Sequence, residues 1–128
     1  GDVYKRQDYT FDVLKKTLGN TFKNTLIITL TEFGRTLVQN NGYGTEHGYG
    51  TSILLGGGLV KKSQVYADWP GIKNKNLFEG RDLNSTLDAR SVYCSAMSVC
   101  FDTDFQLLNT EVFPDEKLND LTEILFKL

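Results

Sequence analysis

The sequence is nearly without imidazole, since His47 is the single histidine among 128 residues. No run of apolar residues approaches the roughly 18 that a membrane-crossing helix needs, so a helical span is excluded. Basic residues do not outnumber acidic ones: 14 Lys and Arg against 16 Asp and Glu give a formal charge of -2. Apart from Lys61 and Lys62 there is no basic patch, which argues against nucleic acid as a partner. Cysteine is equally scarce. Cys94 and Cys100 fall in one expected helix, where their spacing gives a rise of about 9 Å, beyond the roughly 7 Å Cα limit for a bridge. Without a CxxC spacing or a neighbouring histidine, they read as free thiols and small core residues.

What the chain does have is apolar bulk. The hydrophobic share is 40%, with eight Phe and six Tyr, enough to build a core for one domain. Its first residues stand apart. Asp2 to Gln7, DVYKRQ, resembles the in-frame translation of a transposon end used in making sequencing libraries, so residues 1–7 are set aside as an artefactual leader. Removing Asp2, Lys5 and Arg6 moves the formal charge from -2 to about -3. The native chain is then expected to begin near Asp8, in the middle of a protein.

The organising stretch is Thr25–Gly50. Thr25 to Leu30 is short, apolar and β-branched, as expected of a strand buried on both faces of a parallel sheet. Glu32 and Arg35 follow at the carboxyl end of that strand, where ligands bind in open α/β sheets. A Gly- and Asn-rich loop, Asn40 to Gly50, carries Glu46 and His47 and is expected to lack regular structure.

Around it the chain reads as scaffold. Phe11, Leu14 and Leu18 predict a helix over Asp8–Leu18 that stops at Gly19. Such a helix feeding a strand at Asn24–Leu30 is half of a βαβ unit. Gly34 to Gln39 predicts a short helix or turn, and Thr51–Leu55 a second strand ended by Gly56, Gly57 and Gly58. Gln64–Trp69 predicts a strand or hairpin arm closed by Pro70 and Gly71. A largely buried helix is expected over Ala89–Phe101 on Val92, Tyr93, Ala96, Met97, Val99, Cys100 and Phe101, capped by Ser85 or Asp88. Phe105–Pro114 reads as extended or irregular, and Leu118–Leu128 as a terminal amphipathic helix.

Several residues point to chemistry. The glycines before Lys61 match neither phosphate-loop nor dinucleotide spacing, so a structural turn is the better reading. Glu32 and His47 are suitable ligands for Zn-, Mn- or Mg-type ions. A loop histidine is also often a plain surface residue. Glu46 and His47 are neighbours, which extended backbone points to opposite sides. Arg35 either pairs with Glu32 as a structural bridge or clamps an anionic ester with its planar fork.

TEFGR at Thr31–Arg35 and NNGYGTEHGYG at Asn40–Gly50 come first in an ordered set of strings. GGG, VYADWPG, EGRDL, STLDAR and a late VFP follow. Together, over nearly all of Asp8–Leu128, they resemble the C-terminal part of the domain of unknown function 1501 family, itself similar to the alkaline phosphatase and sulfatase superfamily. The resemblance implies an α/β fold class: part of an alkaline phosphatase-like α/β/α sandwich with a mostly parallel sheet, residues 8–128 being the C-terminal part of one domain. It implies a metal-dependent site for a small phosphate or sulfate ester, with a divalent ion (Zn, Mn, Mg or Ca). His47 is the first ligand candidate, Glu32 the next and Glu46 the third, while Arg35 offsets charge on the anion. Superfamily strand ends often read Asp-His-Gly; here they read Glu32, Phe33, Gly34, and Phe33 cannot ligate a metal. The nucleophile would lie in an N-terminal half missing from this sequence, so the chain by itself is expected to be inactive. The alternative is a non-catalytic exported binding protein on the same scaffold. Relatives often carry twin-arginine signals, which makes an exported parent the expectation.

Overall fold

The computed structural model describes residues 2–127 of the chain, which divide into two units. Gly1 of the expected leader and Leu128 of the expected terminal helix lie outside the described residues. The chain mixes helices with very short strands, so its elements are both α and β.

The first unit takes in the chain up to Ile28, then Leu55–Ser63, then everything from Arg90 on. It opens with α1, Asp2–Leu18. This helix starts earlier than the expected Asp8, because DVYKRQ contains neither Gly nor Pro to stop it. Half-buried Gln7, Phe11, Leu14 and Leu18 recur at helical spacing and form its inner stripe. Gly19, with φ of 51°, ends α1 as the sequence predicts, and a 3-10 turn over Gly19–Asn24 follows.

The expected buried strand is reduced to β1, Ile27–Ile28. It pairs with the strand Leu55–Gly56, and the pairing is antiparallel, with Ile27 opposite Gly56 and Ile28 opposite Leu55. A second pair, formed by Gly34–Arg35 and His47–Gly48, is antiparallel as well. The mostly parallel sheet is therefore not what these strands form. An apolar run specifies burial but not the direction of its partner. Gly57 takes φ of 104°, and a Cβ there would strike the Thr25 carbonyl oxygen. The chain turns back so closely that Gly58 N–H donates to Phe22 O at 2.9 Å and Leu59 N–H to Thr25 O at 3.3 Å. Nor is the run buried on both faces: β1 is half-buried and Leu30 is 76% exposed.

The core of this unit gathers on the helix Ala89–Phe101, whose span matches the expectation. Val92, Cys94, Ala96, Phe105, Leu125 and Phe126 are its buried apolar residues. Cys94 and Cys100 are free thiols as expected, but Cys100 is exposed, as is Phe101, so the far end of the helix is not core. Small residues let chain pack directly on the helix. Ser91 Oγ accepts from Asn119 N–H at 3.0 Å, and Ser95 Oγ accepts from Leu121 N–H at 2.9 Å while donating to Ser91 O at 2.7 Å. Burial pushes the Cys94 thiol up from its ordinary pKa, with Asp120 adding to the shift, which keeps it protonated and inert.

Two expectations fail after this helix. Phe105–Val112 is helical, not irregular, because Asp104 caps it by accepting from Leu107 N–H at 2.9 Å. The terminal helix shrinks to Thr122–Leu125. Beyond it the backbone extends and pairs with the residues after the glycine turn. Lys61 N–H donates to Leu125 O at 2.8 Å and Lys127 N–H to Leu59 O at 2.9 Å.

The second unit comprises Thr29–Leu54 and Gln64–Ala89. Thr29 and Leu54 are joined by two bonds, Thr29 N–H to Leu54 O at 3.0 Å and Leu54 N–H to Thr29 Oγ1 at 2.9 Å. Gln64–Trp69 forms neither strand nor hairpin arm; it is fully exposed and outside any ladder. Among the described residues, no helix is long and apolar enough to cross a membrane.

Candidate functional site

The candidate residues all lie in the second unit. β2 is Gly34–Arg35, where a helix or turn was expected, and β3 is His47–Gly48, inside a loop expected to be irregular. The two pair in antiparallel register, Gly34 opposite Gly48 and Arg35 opposite His47. Glycine makes the approach possible: a Cβ on Gly48 would lie 2.7 Å from the Arg35 carbonyl oxygen, and one on Gly34 would strike the Tyr49 backbone. This close contact between segments distant in sequence is what converts the stretch into a strand.

The loop between β2 and β3 is organised by Asn40. Its Oδ1 accepts from Gly42 N–H and Gly44 N–H, both at 3.0 Å, and its backbone N–H donates to Gly44 O at 2.8 Å. Thr36 closes the base of the loop, its buried Oγ1 accepting from Glu46 N–H at 3.1 Å. On the other side of β2 runs a third extended segment. Leu37 N–H donates to Arg81 O at 3.0 Å and Leu83 N–H to Arg35 O at 3.1 Å. Arg35 is thus held between two neighbouring segments by its own backbone.

The register places Arg35 and His47 side by side. Residues directly opposite each other in an antiparallel pair project to one face. Ladder bonds fall on either side of them, Arg35 N–H to Gly50 O at 3.0 Å and Thr36 N–H to Glu46 O at 3.1 Å. Both side chains are exposed. Arg35 Nε donates to Thr36 O at 3.2 Å, and no carboxylate among the described residues pairs with its guanidinium. The His47 ring stacks on Phe33, with centroids 4.1 Å apart and planes at 21°. Phe33 stands two residues before Arg35, within diagonal reach of His47 across the pair.

The other two candidates stand differently. Glu46 is engaged by its own loop, its Oε1 accepting from Asn40 Nδ2 at 2.6 Å. Glu32 sits exposed in the bend before β2, where Leu30, Thr31, Glu32 and Phe33 line an open depression. No described residue bonds its carboxylate, so the bridge to Arg35, one of the two alternatives for that residue, does not form.

These donors do not fit a closed metal site. Catalytic zinc takes three protein ligands, and among the described residues no three His, Cys, Asp or Glu side chains form such a group. Glu46 is committed to Asn40, which leaves His47 and Glu32 as the available pair.

Sequence reasoning passed over Arg81 and Asp82. Asp82 is buried, and Arg81 holds it with two bonds, Nε to Oδ1 at 2.6 Å and Nη2 to Oδ2 at 3.1 Å. The Arg81 hydrogen bond, with its charge and the Tyr49 backbone N–H, keeps the Asp82 carboxyl below the usual carboxylate range. Asp82 reciprocally raises Arg81. The clue was the string Glu79, Gly80, Arg81, Asp82, whose first two residues take positive φ and form a tight turn. Tyr49 was also overlooked; it stacks on Phe78 at 4.1 Å and 18°.

Comparison with known proteins returns one family. Neither a curated protein nor a solved structure matches the chain. Residues 1–100 match the family model described as "Protein of unknown function (DUF1501)", a span that includes β2, β3 and every candidate residue named above. The chain therefore belongs to the DUF1501 family.

Proposed function

We propose that this chain binds a small anionic ester, of the phosphate or sulfate class, at the Arg35–His47 pair. The observation that carries the reading is the register of β2 and β3, which sets an exposed guanidinium without a carboxylate partner opposite the chain's single imidazole. Arg35 is steadied through Nε, which leaves its terminal N–H groups for the fork-like contact that tetrahedral oxyanions accept. His47 adds a ring N–H, and its stack on Phe33 fixes the ring plane. The order of motifs that resembles the alkaline phosphatase and sulfatase superfamily points to the same substrate class. Both side chains face water, so binding should weaken as salt screens the Arg35 charge over the roughly 8 Å Debye length of physiological buffer.

The test is titration of the full chain with inorganic sulfate and with phenyl phosphate, followed by calorimetry. Arg35→Gln should weaken both by about 10-fold or more, since a hydrogen bond to a charged group contributes about 1.5–3 kcal/mol. Equal affinity in Arg35→Gln and the unaltered chain would remove the reading.

A second reading is metal-dependent hydrolysis of such an ester by the parent protein, on an alkaline phosphatase-like α/β/α scaffold exported from the cell. One observation favours it: Glu32 is a carboxylate without a partner among the described residues, adjacent in sequence to the residue on which His47 stacks. Metal content by mass spectrometry, for the parent and its His47→Ala variant, with phosphate- and sulfate-ester hydrolysis assayed in parallel, separates the two. A folded, metal-free parent leaves binding as the function.

A further inference from the structure

Two residues beyond His47, Tyr49 lines an open cavity of about 410 Å³ together with Ser85, Thr86, Leu87 and Asp88. That volume falls within the range of small-molecule sites, roughly 300–1,000 Å³. One face of the Tyr49 ring is covered by Phe78, and 54% of the residue remains exposed. The ring is well anchored. Next to it the buried Gly50 donates to Leu83 O at 2.7 Å.

The rest of the lining is hydroxylated and carries no cation. Ser85 Oγ donates its hydrogen to Leu87 O at 3.0 Å, so its lone pairs are left as acceptors. The Thr86 hydroxyl, bonded to no described residue, can donate and accept. An aromatic ring held on one face by Phe78, beside acceptors and the Thr86 hydroxyl as donor, suits a ring with one apolar face and a rim of hydroxyls. We infer that the Tyr49 cavity binds a pyranose ring. Because Tyr49 follows His47 so closely, a sulfated or phosphorylated sugar would place its ring here and its charged group at Arg35; that extension rests on the anion-binding reading above.

The experiment titrates the full chain with methyl α-glucopyranoside, methyl α-galactopyranoside and methyl α-mannopyranoside, read by saturation-transfer NMR and calorimetry, with inorganic sulfate as a separate ligand. At least one glycoside should saturate, Tyr49→Phe should bind it like the unaltered chain, and Tyr49→Ala should bind about 10-fold more weakly, the upper range for an aromatic contact. Thr86→Val, which removes the hydroxyl at an exposed position, should bind several-fold more weakly. Where Tyr49→Ala loses its fold by circular dichroism, Thr86→Val alone decides. Saturation by none of the three glycosides, or undiminished binding by the folded variants, overturns the inference. Sulfate binding without glycoside binding removes this cavity and leaves the Arg35 site; glycoside binding without sulfate binding does the reverse.

Discussion

In the unit built on α2, Ala89–Phe101, burial falls mainly on apolar side chains, Val92, Cys94, Ala96, Phe105, Leu125 and Phe126, with Ser91 and Ser95 buried among them. In the unit that carries Arg35 and His47, the buried residues are Thr36, Gly50, Leu77 and Asp82, while Leu30, Val38, Tyr43, Val65 and Trp69 face outward. Water exclusion therefore holds the first unit. The second relies on three neighbouring extended segments, bonded through their backbones and fixed by Asn40, Thr36 and the Arg81–Asp82 pair. A candidate site on such a lattice owes its geometry to hydrogen-bond register, and its weak points are polar residues. Substitutions should reveal this difference.

The largest effect is expected in the apolar unit. Phe126 is 0% exposed, and its backbone bridges to Val60. Phe126→Ala should cost about 3–5 kcal/mol, the range for emptying a buried phenyl site. Hydrogen exchange of α2 amides in denaturant measures it. A loss below about 1 kcal/mol, the scale of a surface change, would mean that the apolar residues are not what holds this unit.

Next comes a polar contact inside the apolar unit. Ser95 is fully buried, and its hydroxyl is the acceptor for Leu121 N–H. Ser95→Ala leaves that donor unpaired, which should cost about 1–3 kcal/mol. Exchange at the Leu121 amide should accelerate more than at Asn119, which donates to Ser91 instead. Equal acceleration at the two amides would show that the whole segment is released rather than one bond.

How much of this was legible from residues follows the same division. α2 was readable because apolar and small residues crowd its whole span, a local signal that periodicity detects. The helix Phe105–Val112 was missed although Asp104 was there to cap it, because Phe105, Leu107 and Leu108 make too short a stripe to announce a period. Strand direction was not legible at all. Ile27 and Ile28 specify burial, but nothing within the run fixes which way the partner Leu55–Gly56 runs. At the site, Arg35 and His47 could each be named as candidates, whereas their juxtaposition depends on Gly34 meeting Gly48 and on the Asn40 loop that brings them together. Arg81 and Asp82 entered only as part of the EGRDL string, since adjacency in sequence does not reveal that one of them is buried.

The smallest shift, and the one specific to the polar unit, is a pH dependence. Asp82 has its pKa lowered in the folded chain, chiefly by the Arg81 hydrogen bond. A depressed carboxyl contributes stability that is fully present above its unfolded value, about 3.9, and is lost as pH falls through the folded value. Arg81 is exposed, so screening should keep the effect modest and salt should diminish it. The signal should appear in the Leu37 and Leu83 amides, which bond to Arg81 O and Arg35 O beside Asp82. Between neutral pH and the acid limb, their exchange protection should fall more steeply in the unaltered chain than in Asp82→Asn, which has no carboxylate to protonate. Identical acid profiles would show that the Arg81–Asp82 bonds contribute nothing to the ladder beside Arg35, leaving the backbone register to hold the site without them.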